Sequence, residues 1–89
     1  MDWGKLGEEA VSLLSEYLSI DTTNPPGNEL PGAEFLAAVL AEEGIDHRIY
    51  ESEPGRASIL AHLKGTGEGK ALILLSHIDV VPAEADKWE

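Results

Sequence analysis

The chain has no cysteine, few basic residues and no long apolar run, and each shortage removes a class of protein. Without cysteine there are neither disulfides nor thiolate metal sites, so packing alone must stabilise the fold. Six Lys and Arg stand against seventeen Asp and Glu, a net charge of -11. Such a surface repels nucleic-acid phosphates and anionic lipid headgroups, which argues against both as partners. The charge reads as a solvated surface that also mildly concentrates divalent cations. The purely apolar runs, Ala71 to Leu75 among them, are far short of the roughly 20 residues that span a bilayer, so no membrane crossing is expected. The opening Met-Asp-Trp-Gly lacks the basic stretch and apolar core of a signal peptide, and the expected location is cytoplasmic.

What is present is patterned. Apolar residues make up 43% of the 89 positions and fall in blocks, which favours a folded unit over a disordered one. A chain this short buries only about 60 to 65% of its unfolded surface, so one domain, or part of one, with a modest core is expected over residues 1–89.

Trp3, Leu6, Ala10, Leu13, Leu14, Tyr17 and Leu18 recur at three- and four-residue spacings, with Lys5, Glu8, Glu9, Ser12, Ser15 and Glu16 opposite. This predicts an amphipathic helix with Asp2 as N-cap. "SIDTTNPPGNELPG" then breaks the period, because Pro25, Pro26 and Pro31 remove donors and Gly27 and Gly32 free the backbone. A second helix follows, opened by Asn28 as N-cap or by Pro31 at the first helical position. Ala33, Leu36, Ala37 and Leu40 line one side, and Gly44 stops it.

From Ile45 the period changes to two, predicting a first strand through Tyr50 with one face buried. "SEPGRA" makes a turn, a second strand runs from about Ser58 to Lys64, and "GTGEG" reverses the chain into a third strand, Ala71 to Ser76. The third strand is apolar on both faces, as in a sheet interior covered by helices. The expected class is α/β: two helices followed by three strands in one layered unit.

The third strand runs into His77 and Asp79. In open α/β sheets, ligand sites lie beyond the carboxyl ends of strands. Residues two apart in extended backbone point the same way with Cα atoms about 6.5 to 7 Å apart, so the Asp79 carboxylate can reach the His77 ring. A metal-binding histidine commonly gives its second ring N–H to such a carboxylate, which fixes the tautomer. His77 is thus a candidate metal ligand and Asp79 its catalytic-site orienter. The bland alternative is a strand-end histidine that meets backbone carbonyls, with Asp79 solvated in a turn before Pro82.

The wider text adds to the pair. "LLSHIDVVPAEADKW" resembles the first metal-site segment of the zinc-dependent family of aminoacylases, acetylornithine deacetylases, succinyl-diaminopimelate desuccinylases and glutamate carboxypeptidases. "LSIDTTNPPGNE" is similar to that family's loop between its first two helices, in the same order and spacing.

The resemblance implies the N-terminal part of a mixed α/β catalytic domain with two zinc ions, cobalt or manganese being alternatives. His77 corresponds to the first histidine ligand and Asp79 to the aspartate that steadies it. The substrate class implied is a small-molecule amide or peptide, including N-acyl amino acids. The family's remaining ligands and its glutamate base have no counterparts up to Glu89, and one histidine does not hold a catalytic zinc, which normally takes three protein ligands. The 89 residues alone are therefore expected to be inactive.

Other candidates carry less. His47 and His62 fall inside predicted strands, and Asp21, Glu84 and Asp86 read as loop carboxylates. "TNPPGNE" is either a rigid wall beside a substrate cleft or a proline-stiffened connector, and Trp88 is read as packing. An alternative to the hydrolase reading is a non-catalytic α/β interaction module. In either case the apolar third strand exposes a sheet edge when isolated, so a homo-oligomer is expected.

Overall fold

The structure, a computed structural model, describes residues 1–88; the last position of the predicted 1–89 unit, Glu89, lies outside the described residues. Helix α1 spans Trp3–Leu18 and helix α2 Leu30–Glu42. Strands β1, Asp46–Glu53, and β2, Arg56–His62, form an antiparallel hairpin, and a 3-10 turn covers Ala85–Lys87. The class is α/β, as expected.

Helix α1 starts where its cap dictates: Asp2 is extended and its carboxylate accepts from the Lys5 amide at 3.0 Å. The helix buries no residue, and Trp3, Val11, Leu14 and Leu18 are exposed. Its link to the rest is at its C-terminal end, where the Tyr17 ring lies 6.2 Å from that of Phe35 on α2, tilted by 37°. Helix α2 does not take Asn28 as its cap, and Pro31 stands at its opening positions. Glu29 occupies the cap position with its side chain turned elsewhere, Pro31 follows in the first turn, and the Leu30 amide donates to the Gly55 carbonyl of the hairpin turn. The chain leaves α2 through Gly44, whose φ of +67 is the left-handed conformation that glycine adopts without steric cost.

The hairpin pairs Asp46 with His62 and Ile49 with Ile59, and a bulge lies between Glu51 and Glu53. It packs under α2, and this layer holds most of the protected apolar residues. Ala33 is fully buried, while Leu36, Leu40, Ile45, Ile49, Ala57 and Ile59 are half-buried. The predicted alternation holds for Ile45 and Ile49 and fails for His47, which is exposed.

The third predicted strand is a correction. Residues 71–76 are not a strand, and no ladder pairs them with β2 among the described residues. Leu72, Ile73, Leu74 and Leu75 are 81 to 93% exposed. The physical reason is that an interior strand needs neighbours on both edges and cover on both faces, whereas a two-stranded antiparallel hairpin with one helix on it provides neither. The second strand is also shifted, ending at His62 rather than Lys64. No helix among the described residues is long and apolar enough to cross a membrane.

The loop after α1 is tied to the hairpin by an ion pair that the sequence reading did not foresee. Both Glu29 carboxylate oxygens accept from Arg56 Nε, at 2.9 and 2.8 Å, and the Glu29 side chain is only 7% exposed. Arg56 holds the Glu29 carboxyl below its usual range, by hydrogen bonding first and by charge as well, against the desolvation that opposes it. Gly27 makes room for the guanidinium: at φ +80, a Cβ there would come 2.6 Å from Arg56 Nε.

Two predictions follow from this tie. Gly27→Ala is expected to cost more than the about 1–2 kcal/mol of a left-handed alanine, because Arg56 must also move; Gly44→Ala, with open space around it, is expected to cost only that backbone penalty. Equal urea midpoints for the two variants would contradict this close approach. The pH dependence has a definite sign. A carboxyl depressed in the folded state stabilises fully above its ordinary value of 4.5 and loses that contribution as pH falls through the folded value. Urea midpoints of the wild type should therefore drop on acidification below 4.5, more steeply than those of Glu29→Gln, which is already weaker at neutral pH.

Candidate metal-ligand site

The site is built where two distant stretches meet. Asn24 precedes Pro25: Thr23 carries the bridge, and Asn24 opens the turn that runs through Pro26. Pro25 and Pro26 then offer no N–H, which ends any pairing there. On the other side, Ile78–Val80 is extended, and Pro82 lies two residues on.

These two segments form a single parallel bridge, Thr23 opposite Val80. The Asn24 amide donates to the Val80 carbonyl at 2.8 Å and the Val80 amide to the Thr22 carbonyl at 3.2 Å. Side chains extend the contact. The buried Thr22 hydroxyl donates to the Ile78 carbonyl at 3.0 Å, and the Asn24 side-chain amide donates to Asp79 Oδ2 at 3.0 Å. The loop itself is braced, since Asp21 Oδ1 accepts from the Thr23 amide at 3.0 Å and the Gly27 amide donates to the Thr23 carbonyl at 2.9 Å. Hydrogen bonds from the Thr23 side chain and amide hold Asp21 below the usual carboxylate range, so this residue is a turn-forming acceptor.

Helix α2 backs the bridge from behind. Gly32 is buried, and a Cβ there would stand 3.1 Å from the Ile78 Cγ2 methyl and 3.5 Å from that of Thr22. A side chain at this position would press on the residue between His77 and Asp79.

At the end of the bridge, His77 Nδ1 lies 3.3 Å from Asp79 Oδ1 and 2.7 Å from the Asp79 backbone carbonyl. Both partners are acceptors, so the ring proton belongs on Nδ1 when the imidazole is neutral, which leaves the Nε2 lone pair free. The His77 side chain is 83% exposed, against 35% for Asp79. Asp79 thus divides its two oxygens, one toward the Asn24 amide and one toward the imidazole. The Asn24 hydrogen bond first, then His77 and the more distant Arg56 charge, hold its carboxyl below the usual range despite partial desolvation. His77, Asp79, Glu29 and Arg56 border a groove of about 640 Å³ that continues along Ile59 and Leu75.

The residues present fit one ligand position of a metal site and no more. Among the described residues no three His, Cys, Asp or Glu side chains converge on a point where an ion would sit. His47 is held away, its Nδ1 meeting the Ile45 carbonyl at 2.9 Å, and Glu84 pairs with Lys87 at 2.7 Å. The sequence had pointed to His77 and Asp79, which the fold brings together. It had not pointed to Asn24, Thr22, Glu29 or Arg56 as participants. The available signal was that "TTN" places three polar side chains immediately before Pro25 and Pro26, more than a connector requires.

The chain is 33% identical over 82 residues to Aminoacylase-1 of Dictyostelium discoideum, covering 91% of this chain and 20% of that protein. It is 30% identical over 83 residues to a probable succinyl-diaminopimelate desuccinylase in each of two Staphylococcus epidermidis strains, covering 91% of this chain and 19% of those proteins. No protein-family model matches, and no solved structure does. The chain spans about a fifth of the length of the curated relatives it matches. Over that shared stretch, the sequence is similar to those of an aminoacylase and of probable succinyl-diaminopimelate desuccinylases.

Proposed function

We propose that residues 1–89 form the first part of a hydrolase that cleaves amide bonds of N-acyl amino acids or small peptides, with His77 supplying one metal ligand and Asp79 orienting its ring. The observation that carries this reading is the direction of the imidazole: Nδ1 faces two acceptors of Asp79, and the exposed ring keeps Nε2 for a cation. Zinc is the ion proposed, two per complete site, with cobalt or manganese able to take the same imidazole and carboxylate donors. Bound metal would supply an activated water and polarise the amide carbonyl. The share of the work given to this chain is narrower. It presents one imidazole at a fixed angle, keeps its proton on the inner nitrogen, and lines the groove beside it with Glu29 and Arg56.

The test uses the complete protein encoded with this segment. Metal analysis after dialysis against metal-free buffer should find bound zinc, and N-acetyl or N-succinyl amino acids should be hydrolysed. Asp79→Ala is expected to lower metal affinity or activity by about 10- to 100-fold, and His77→Ala by more. Undiminished metal content and turnover in His77→Ala would reject the assignment. Residues 1–89 alone are expected to hydrolyse none of these substrates, and turnover by them would reject the proposed division of the site.

A second reading is supported by the exposure of Leu72 to Leu75, together with a β2 edge that no described strand covers: the isolated chain self-associates along this segment. Sedimentation equilibrium should then show a concentration-dependent dimer or larger species. The double variant Leu72→Lys, Leu74→Lys, which charges one face of the extended segment, should return it to monomer. A wild-type monomer at high concentration would reject self-association.

A further inference from the structure

We infer that Asn24 is a positioning residue for His77, acting through Asp79 from a loop 55 residues away in sequence. This inference rests on the reading of His77 as a metal ligand for its purpose, though not for its test. Asp79 Oδ2 accepts the Asn24 side-chain amide at 3.0 Å, and Oδ1 is the oxygen 3.3 Å from His77 Nδ1. A carboxylate turns about one bond and would otherwise sweep freely, because Asp79 is one-third exposed and stands on an extended segment. Fixing one oxygen fixes the other. The Asn24 amide therefore sets the plane of the carboxylate, and the carboxylate sets which imidazole nitrogen keeps the proton.

The backbone of the same residue serves the same end. The Asn24 amide nitrogen donates to the Val80 carbonyl, so the donor that grips Asp79 is itself anchored to the residue beside it. The loop stays in place through the Thr23 amide's bond to the Asp21 carboxylate and the Thr22 hydroxyl's bond to the Ile78 carbonyl. A side chain that served only to fill the loop would need no donor aimed at the inner oxygen. The competing arrangement is also visible in the structure: the Asp79 backbone carbonyl lies 2.7 Å from His77 Nδ1 and could keep the ring proton alone.

The experiment reads the proton directly. In residues 1–89 labelled with 15N-histidine, two-bond proton–nitrogen correlation at about pH 8.5, where an ordinary imidazole is neutral, reports the tautomer of each of the three histidines. Wild-type His77 should be mainly the Nδ1–H form. Asn24→Leu keeps the branched shape and removes the donor; it should lower the Nδ1–H to Nε2–H ratio at His77 by at least about threefold. His47, whose Nδ1 contacts its own Ile45 carbonyl, should not change.

An unchanged His77 ratio in Asn24→Leu assigns the ring to the backbone carbonyl and overturns the proposal. If Asn24→Leu loosens the whole segment, Asp79→Leu decides: its ratio must fall by the same factor, and adding Asn24→Leu must produce no further drop. An unaltered ratio in Asp79→Leu, or additive drops, overturns it equally. Zinc content of the complete protein encoded with this segment reads the other claim separately. A tautomer that depends on Asn24 in residues 1–89, with undiminished zinc content in His77→Ala of the complete protein, keeps the positioning role and rejects the ligand reading.

Discussion

The candidate site depends on a clamp of two backbone and two side-chain hydrogen bonds between Thr22–Asn24 and Ile78–Val80. Each bond is modest alone, on the order of 1 kcal/mol net. Together they join stretches that no helix or sheet otherwise connects. The extended segment before Ser76 has no ladder of its own, so without the clamp His77 would sit at the end of free chain. The prolines define where the clamp ends: Pro25 cancels the donor after Asn24, and Pro82 ends the other side. Helix α2 completes the seat by presenting a glycine where any side chain would meet the Ile78 methyl.

The acidic composition takes on a specific shape at this place. Three carboxylates of the loop and site, Asp21, Glu29 and Asp79, are each held ionised by a different donor: Thr23, Arg56 and Asn24. None of them is simply surface charge. Arg56, one of only six basic residues, pairs with Glu29 and also influences Asp79, so one cation steadies both the loop and the groove. Glu29 and Arg56 tie this group to the protected α2–hairpin layer, while most of α1 and the Leu72–Leu75 run stay exposed.

Local elements were legible in the sequence because local chemistry decides them. Helix α1 and its Asp2 cap follow from spacing and a single acceptor, and the exit from α2 follows from Gly44. The hairpin follows from alternation around Pro54 and Gly55. Residues 71–76 show where that reasoning stops: an aliphatic run has strand propensity on its own, but a strand exists only with a partner, which is a property of distant chain. His77 and Asp79 were legible as a pair because they are two apart, and as a metal-site pair through the resemblance of the surrounding segment. Asn24 and Asp79, or Glu29 and Arg56, are separated by 55 and 27 positions, and nothing in either neighbourhood alone identifies the other.

The clamp can be measured amide by amide. Native-state hydrogen exchange at Asn24 and Val80, the two backbone donors that cross it, reports whether the segments stay joined while the rest of the fold is intact. The account predicts that both amides are protected and that Thr22→Val, which removes the third bond, accelerates them together. Exchange of both at unprotected rates, with α2 and the hairpin still protected, would contradict it.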